Sequence, residues 1–160
     1  RTLFPYTTLF RSGQMGDVMK ESAQIALTYV RSVASDYGVK ENYFEKHDIH
    51  LHIPEGAVPK DGPSAGITMA TAMLSAVTGR KVLPRVAMTG EVTLRGHVLM
   101  IGGLKEKLLA ARMAQVEKVL VPAKNQPDVE ELSKEITKGM EIVYIKEMNE
   151  VIREAFVPEK

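Results

Sequence analysis

The 160-residue sequence contains no cysteine and no tryptophan. Without cysteine the chain can form no disulfide framework, no thiolate metal site and no cysteine nucleophile. Basic and acidic residues almost cancel, at 21 and 20, so the formal net charge is +1. This balance offers no basic field for nucleic acid and no acidic tail. No apolar run approaches the roughly 20 residues that a membrane span requires. The remaining composition, 44% hydrophobic and 26% charged, is typical of a globular protein.

The first twelve residues, RTLFPYTTLFRS, differ in character from the rest of the chain. They contain no acidic residue and three aromatics, Phe4, Tyr6 and Phe10, and they show neither helical nor strand periodicity. The segment from Thr2 to Ser12 is the translation of a nucleotide sequence that resembles a widely used sequencing adapter. We therefore interpret residues 1–12 as a non-native leader and residues 13–160 as one domain. The leader is expected to be disordered or poorly packed.

Hydrophobic periodicity after the leader predicts interleaved helices and strands. Helices are predicted over residues 15–37, 64–79, 104–116, 128–136 and 148–156. Strands are predicted over residues 49–53, 86–94, 97–101, 118–121 and 141–145. Arg95 and Gly96 join two of these strands as a hairpin, whereas other connections are crossovers. The fold class is therefore α+β, or mixed α/β, with one mixed sheet flanked by helices.

The first chemically informative segment is PKDGPSAG, residues 59–66. Ser64 lies where an irregular loop becomes a predicted helix. The first backbone N–H groups of a helix lack internal partners and carry a partial positive charge. A hydroxyl there can serve as a nucleophile, and neighbouring amides can stabilise an oxyanion. Serine is also a favoured helix cap, so this segment alone favours a structural role for Ser64.

The second informative segment is IGGLKEKLLAA, residues 101–111, in which two glycines end a strand and two lysines begin a helix. Positive charge in the first turn of a helix is unfavourable against the helix dipole. The same field, joined to burial, favours the neutral amine that a general base requires. Solvated lysines are the alternative, and the segment alone favours that alternative.

These two segments, together with MTGEVTLRG at residues 88–96, resemble the signature of the A-type Lon peptidase family. The resemblance runs from about Gly13 through KVLVP and, more loosely, to the C-terminus. It implies a serine endopeptidase with Ser64 as nucleophile and Lys107 as general base. Lys105 would point to another side of the helix, because residues i and i+2 do not share a face. The other site residues that the resemblance implies are Thr89 near the lysine amine, the acidic Asp61 and Glu91, and the oxyanion-loop backbone at Gly62, Pro63 and Ala65.

The family resemblance also implies partners. Substrates would be unfolded polypeptides or peptides, and the full-length protein would be a hexamer in the bacterial cytoplasm, with the mitochondrial matrix as an alternative. The sequence has no Gly-Lys-Ser/Thr phosphate loop. ATP and magnesium are therefore expected only for the family's ATPase module, and no cofactor is expected for this chain. Neither nucleic acid nor a membrane is an expected partner.

Rival sites are weaker. His50 and His52 share one face of a predicted strand and could belong to a Ser-His-Asp triad, but a solvated strand edge is the favoured interpretation. The same pair could begin a zinc site, yet no third ligand is evident, so no metal is predicted. The alternative to an active peptidase is a catalytically idle oligomerisation or peptide-binding domain of the same fold.

Overall fold

The structure is a computed structural model that describes residues 8–159. Its helices are α1 (Asp17–Val33), α2 (Tyr43–Lys46), α3 (Gly66–Thr78), α4 (Leu104–Met113), α5 (Gln126–Glu130), α6 (Lys134–Thr137) and α7 (Met148–Ala155). Its strands are β1 (Leu9–Ser12), β2 (Ile49–His52), β3 (Val86–Met88), β4 (Glu91–Val92), β5 (Val98–Leu99), β6 (Lys118–Pro122) and β7 (Glu141–Ile145). This interleaving confirms the predicted α+β class. In the described part of the chain, no helix is long and apolar enough to cross a membrane.

The strands are divided among small sheets. β3, β6 and β7 form a parallel sheet in the order β3-β6-β7. β1 and β2 form a parallel pair, and β4 and β5 form the predicted antiparallel hairpin. Parallel and antiparallel pairings thus both occur, but within residues 8–159 they do not join into the single mixed sheet that was predicted.

The larger hydrophobic core lies where α1 packs against α3. On α1, Met19, Ala23, Ala26 and Val30 recur at three- and four-residue steps and are buried, as expected of one face of a helix. Helix α3 carries mainly small and apolar side chains, and it packs against α1, β4 and α7 through its buried face while one face stays exposed. Complete burial of each larger apolar side chain stabilises the fold by about 1.5–3 kcal/mol. The α1–α3 contact therefore fixes the position of the residues just before α3.

A smaller core covers the other face of the parallel sheet. Leu104, Leu108 and Ala111 of α4 pack with Val119 and Val121 of β6. The residue between these two valines belongs to the larger core, because successive side chains of a strand point to opposite faces. The sheet is thus enclosed by helices, and α4 is fixed beside the end of β3.

Residues 1–12 were expected to be disordered or poorly packed, and the part that the structure describes is an ordered strand that is poorly packed. Leu9–Ser12 pairs in parallel with β2, with Leu9 opposite Ile49. An extended segment can add to the free edge of a strand through its backbone N–H and C=O groups, whatever its side chains are. Its packing is peripheral, since Phe10 is 52% exposed. Phe4 and Tyr6 lie outside the described residues, and the non-native origin of the leader stays a prediction.

Several predicted boundaries also change. The strand predicted over residues 86–94 is interrupted at Thr89 and Gly90: the Thr89 N–H still donates to the Leu120 carbonyl of β6, but the Gly90 N–H donates to the Ser64 carbonyl instead. The helix predicted over residues 128–136 is two short helices, α5 and α6. The helix predicted to begin at Ser64 begins at Gly66, because residues 63–66 form a hydrogen-bonded turn first.

Candidate active site

A pocket of about 210 Å³ lies between the start of α3, the end of β3 and one face of α4. Ser64, Thr89 and Lys107 all line this pocket. They come from three segments that are far apart in the sequence, so the fold brings the predicted nucleophile, third group and base to one cavity. Much of the remaining wall is apolar and includes Met88 and Leu108.

The side chain of Ser64 does not cap helix α3. The N-cap residue is Ala65, and no side chain makes a capping hydrogen bond there. Within residues 8–159, Ser64 Oγ makes no hydrogen bond. The interpretation of Ser64 as a structural cap, which the sequence left open, is therefore wrong. Its half-buried side chain lines the pocket instead.

Free backbone donors lie beside this hydroxyl. In the part of the chain that the structure describes, neither the Ser64 N–H nor the Ala65 N–H donates a hydrogen bond. The Gly62 N–H donates to Asp61 Oδ1 at 2.8 Å, and Pro63 has no N–H to donate. Among the predicted oxyanion residues, Ala65 thus retains a free donor, and Ser64 adds its own. Two adjacent N–H groups are the arrangement that can stabilise an oxyanion.

The segment that carries Ser64, residues 61–66, is called the serine loop below. Thr89 and Gly90 hold this loop from one side. Thr89 Oγ1 donates to the Ser64 carbonyl oxygen at 3.3 Å, and the Gly90 N–H donates to the same oxygen at 2.9 Å. In return, the Ile67 N–H donates to the Gly90 carbonyl at 3.2 Å. Thr89 thus contacts the backbone of Ser64, and its predicted role beside the lysine amine stays a prediction.

Lys107 enters the pocket from the beginning of α4. This helix follows Gly103, which has a left-handed φ of 67°, and a Cβ on Gly103 would lie 3.9 Å from Lys107 Nζ. Lys107 is exposed, and within residues 8–159 its Nζ makes no ion pair or hydrogen bond. In the single chain the start of α4 is open to solvent, which agrees with the solvated lysine that this segment alone favours. Lys105 lines a different pocket, as its position two residues away predicts.

Asp61 connects the serine loop to the start of α1. Its Oδ1 accepts the backbone N–H of Met19 at 2.9 Å, in the first turn of α1. A Cβ on Gly16 would lie 2.1 Å from Asp61 Cγ, so only glycine leaves room for the carboxylate. The hydrogen bonds from the Met19 and Gly62 N–H groups lower the pKa of Asp61. Asp61 therefore fixes the loop through helix α1 and does not line the pocket of Ser64.

The comparison with protein families agrees with this geometry. Residues 5–158 match the family model of the Lon protease (S16) C-terminal proteolytic domain. The chain belongs to this family.

Curated Lon proteases share this proteolytic domain with the chain. It is 65% identical to the Lon protease of Lachnoclostridium phytofermentans over 149 residues, covering 93% of the chain and 18% of that protein. It is 52% identical to Lon protease 1 of Bacillus subtilis over 152 residues, which cover 95% of the chain and 20% of that protein. For the Lon protease of Heliobacterium modesticaldum the identity is 55% over 146 residues, covering 91% and 18%. The chain therefore spans about a fifth of the length of these relatives.

The other predicted residues of the Lon domain lie away from the pocket. Glu91 is half-buried in β4 and lines a separate cavity with Ile25 and Arg95. His50 Nε2 and His52 Nδ1 both lie within hydrogen-bonding distance of Ser12 Oγ, at 2.9 and 2.7 Å. Neither histidine lines the Ser64 pocket. Among residues 8–159, no three His, Asp or Glu side chains are grouped so that they could hold a metal.

Sequence reasoning missed three residues that pack around the serine loop. Gly66 and Gly90 allow close contact, because a Cβ on either would lie within 3 Å of a neighbouring side chain. Ser22 is 4% exposed and lies on the buried face of α1, against Gly66. The signal in the sequence was a serine inside the apolar stripe of α1, three residues after Met19 and four before Ala26.

Proposed function

We propose that this Lon proteolytic domain is a serine endopeptidase that uses Ser64 as nucleophile and Lys107 as general base. The observation that carries the proposal is the shared pocket, which Ser64 and Lys107 both line. The hydroxyl of Ser64 is engaged in no structural hydrogen bond within the described residues, so it is available for chemistry. A nucleophile beside a basic side chain is the usual signature of covalent acyl transfer.

The chemical step follows from the groups in the pocket. A neutral Lys107 amine accepts the proton of Ser64 Oγ as that oxygen attacks a peptide carbonyl carbon. The N–H groups of Ser64 and Ala65 donate to the oxyanion that forms. Lys107 then protonates the leaving amine, which departs and leaves an ester on Ser64. Water hydrolyses this ester by the reverse proton transfers and restores both groups.

The pocket walls suggest which substrate side chain is accepted. Met88, Leu104 and Leu108 give the pocket an apolar lining, and its volume of about 210 Å³ suits one medium-sized side chain. An apolar side chain seated there would also displace water from around Lys107, which is exposed in the free chain. We therefore infer that the enzyme cleaves beside apolar residues.

The whole-protein setting is part of the proposal. Because the chain spans about a fifth of its relatives, the ATPase module, with its ATP and magnesium, would lie elsewhere in a full-length protein. The domain alone would cleave peptides and unfolded polypeptides and leave folded proteins intact. We propose a hexamer for the full-length protein and a bacterial cytoplasmic location, since its curated relatives include bacterial Lon proteases. No cofactor, nucleic acid or membrane is required by this chemistry.

The decisive experiment measures hydrolysis of a short fluorogenic peptide by the chain and its variants. Ser64→Ala and Lys107→Ala are each expected to lower kcat by several orders of magnitude, because the nucleophile and its base act as one unit and neither works without the other. Lys105→Ala is the matched control, since Lys105 lies on the same helix but lines another pocket. Full activity in either dyad variant would rule out the mechanism.

A second candidate function is an idle oligomerisation or peptide-binding domain. It is favoured by one observation, the exposed Lys107 amine without a hydrogen bond to Ser64 in the described structure. A fluorophosphonate probe, which acylation-competent serines attack, separates the two functions. Labelling that is lost in Ser64→Ala supports the peptidase, whereas no labelling of the unmodified chain supports the idle domain.

A further inference from the structure

Ser22 carries a buried hydroxyl without a partner. The residue lies in the middle of α1, is 4% exposed, and its Oγ has no hydrogen-bond partner within residues 8–159. A buried polar group without a partner costs roughly 1–3 kcal/mol. An alanine at this position would avoid the cost. Such groups in native structures call for a specific explanation, and a functional role is one of them.

Other hydroxyls of the same helix behave differently. Thr28 Oγ1 donates to the Gln24 carbonyl at 3.0 Å, and Ser32 Oγ donates to the Tyr29 carbonyl at 2.6 Å. Back-bonding of this kind is the usual arrangement for a serine or threonine inside a helix. The hydroxyl of Ser22 instead lies against another element, so its orientation follows from tertiary packing.

That other element is the serine loop. A Cβ on Gly66 would lie 2.9 Å from Ser22 Oγ, so the hydroxyl lies beside the last residue of the loop, across the space that a side chain there would fill. Gly66 follows Ser64 by two residues, and its own N–H donates to the Pro63 carbonyl at 3.1 Å. A shift of this turn toward α1 would bring its backbone donors and acceptors closer to the hydroxyl.

Helix α1 therefore contacts both ends of the serine loop. At the first end Asp61 accepts the Met19 N–H at 2.9 Å, and at the other end Gly66 lies beside Ser22, one helical turn further along. Ser64 lies between these two contacts. Its carbonyl oxygen accepts hydrogen bonds from Thr89 Oγ1 and the Gly90 N–H. Asp61 makes a hydrogen bond to α1, whereas the Ser22 hydroxyl makes none within residues 8–159.

We propose that Ser22 is a positioning residue for Ser64, and that its hydroxyl hydrogen-bonds to the serine-loop backbone as Ser64 becomes acylated. A hydroxyl can donate once and accept twice, so it suits either an N–H or a carbonyl of the loop. The new bond fixes the Ser64 and Ala65 N–H groups on the developing oxyanion. This role rests on the proposed use of Ser64 as nucleophile.

The test compares Ser22→Ala with Ser32→Ala, a control on the same helix that lies away from the serine loop. The 160-residue chain is measured for thermal midpoint, for kcat and KM on a short peptide, and for its rate of labelling by a fluorophosphonate. Ser22→Ala is expected to lower kcat and the labelling rate by about tenfold, the effect of one hydrogen bond of about 1.4 kcal/mol in the transition state. Its KM is expected to match that of the unmodified chain. Its thermal midpoint is expected to stay the same or to rise. Ser32→Ala is expected to leave kcat unchanged.

A purely structural role of Ser22 would change the thermal midpoint and not kcat or the labelling rate. If Ser22 binds a buried water, Ser22→Ala lowers the thermal midpoint and leaves kcat and labelling unchanged, which would overturn the proposal. Unchanged values of all quantities would overturn it as well. Ser64→Ala and Lys107→Ala in the same assays distinguish failure of the Ser22 positioning role from failure of the Ser64–Lys107 dyad. If both abolish turnover while Ser22→Ala does not slow it, only the positioning role is wrong, and if they retain turnover, the dyad itself is wrong.

Discussion

Asp61 Oδ1 accepts the backbone N–H of Met19 at 2.9 Å across 42 residues of sequence. The bond joins the loop that carries Ser64 to the first turn of α1, where backbone N–H groups have no partner within the helix. The negative charge of Asp61 also lies at the positive end of the helix dipole. One carboxylate thus satisfies a helix end and anchors the serine loop.

We expect Asp61→Asn to lower the thermal midpoint and to slow acylation of Ser64. The amide keeps the shape of the side chain but loses the charge, and hydrogen bonds to a charged acceptor are the stronger ones. Asp36→Asn is a suitable control, because Asp36 lies in the turn after α1, away from the serine loop. Thermal melts and fluorophosphonate labelling measure the two effects, and an unchanged labelling rate would contradict the anchoring role.

The same substitution predicts a pH dependence. The Met19 and Gly62 N–H groups hold the pKa of Asp61 below its ordinary value of 3.8. Because the folded-state pKa is lowered, the ionised carboxylate stabilises the fold above the ordinary value, and this stabilisation is lost as the pH falls through the lowered one. The difference in thermal midpoint between the unmodified chain and Asp61→Asn should therefore be full at neutral pH and shrink in acid. If the difference in thermal midpoint grows in acid, the ionised Asp61 carboxylate does not stabilise the fold as predicted.

Gly66→Ala should destabilise the protein. A Cβ there would lie 2.9 Å from both Ser22 Oγ and Val92 Cγ1 and 3.0 Å from the backbone nitrogen of Val92. Forcing atoms into a packed site of this kind costs about 1–3 kcal/mol. Gly56→Ala is the matched control, since nothing lies within 4 Å of its Cβ position, and its effect should stay within about 0.5 kcal/mol. Urea denaturation gives both free energies of unfolding, and equal values would argue against close packing at Gly66.

The sequence predicted most of what depends on local pattern. Helix α1 and the β4–β5 hairpin follow from periodicity, whereas the expectation that Ser64 and Lys107 share one site came from the family resemblance. The exposure of Lys107 agrees with the solvated lysine that its segment alone favoured, although which distant elements cover the start of α4 could not be predicted. The break between β3 and β4, where the Gly90 N–H bonds Ser64, was missed for a different reason. An alternating pattern cannot show that a backbone turns aside to bond another loop.

The same limit applies to the second layer of the site. Asp61 was predicted from its motif. Its partner Met19 could not be predicted, because every residue except proline has a backbone N–H and the sequence does not show which one a carboxylate will bond. Ser22 leaves a mark, as a hydroxyl in an apolar stripe, yet most such serines bond back to their own helix. Only coordinates show that its hydroxyl faces Gly66 instead.

Tyr29 gives a prediction at alkaline pH. It is 6% exposed, and burial first, then the negative charges around it, raises the pKa of its phenol from 10.0 to about 12. A raised folded-state pKa means that the neutral phenol stabilises the fold below pH 10.0 and that this contribution is lost as the pH rises toward 12. Tyr29→Phe should therefore retain more of its neutral-pH stability at alkaline pH than the unmodified chain does. Thermal melts across the alkaline range measure this, and parallel curves for the two proteins would contradict it.

Ala111 should set how large a substrate side chain the pocket accepts. It is 8% exposed and lines the pocket of about 210 Å³ beside Ser64 and Lys107. Ala111→Leu would fill part of that volume, and the loss of room for one apolar group changes selectivity by about 10- to 200-fold. We expect kcat/KM to fall for peptides with phenylalanine or leucine at the cleaved bond, and to fall much less for alanine. Ala110→Leu adds the same volume to the exposed side of α4 and should leave both rates unchanged. An equal loss on large and small substrates, with thermal midpoints preserved, would mean that this pocket does not hold the substrate side chain.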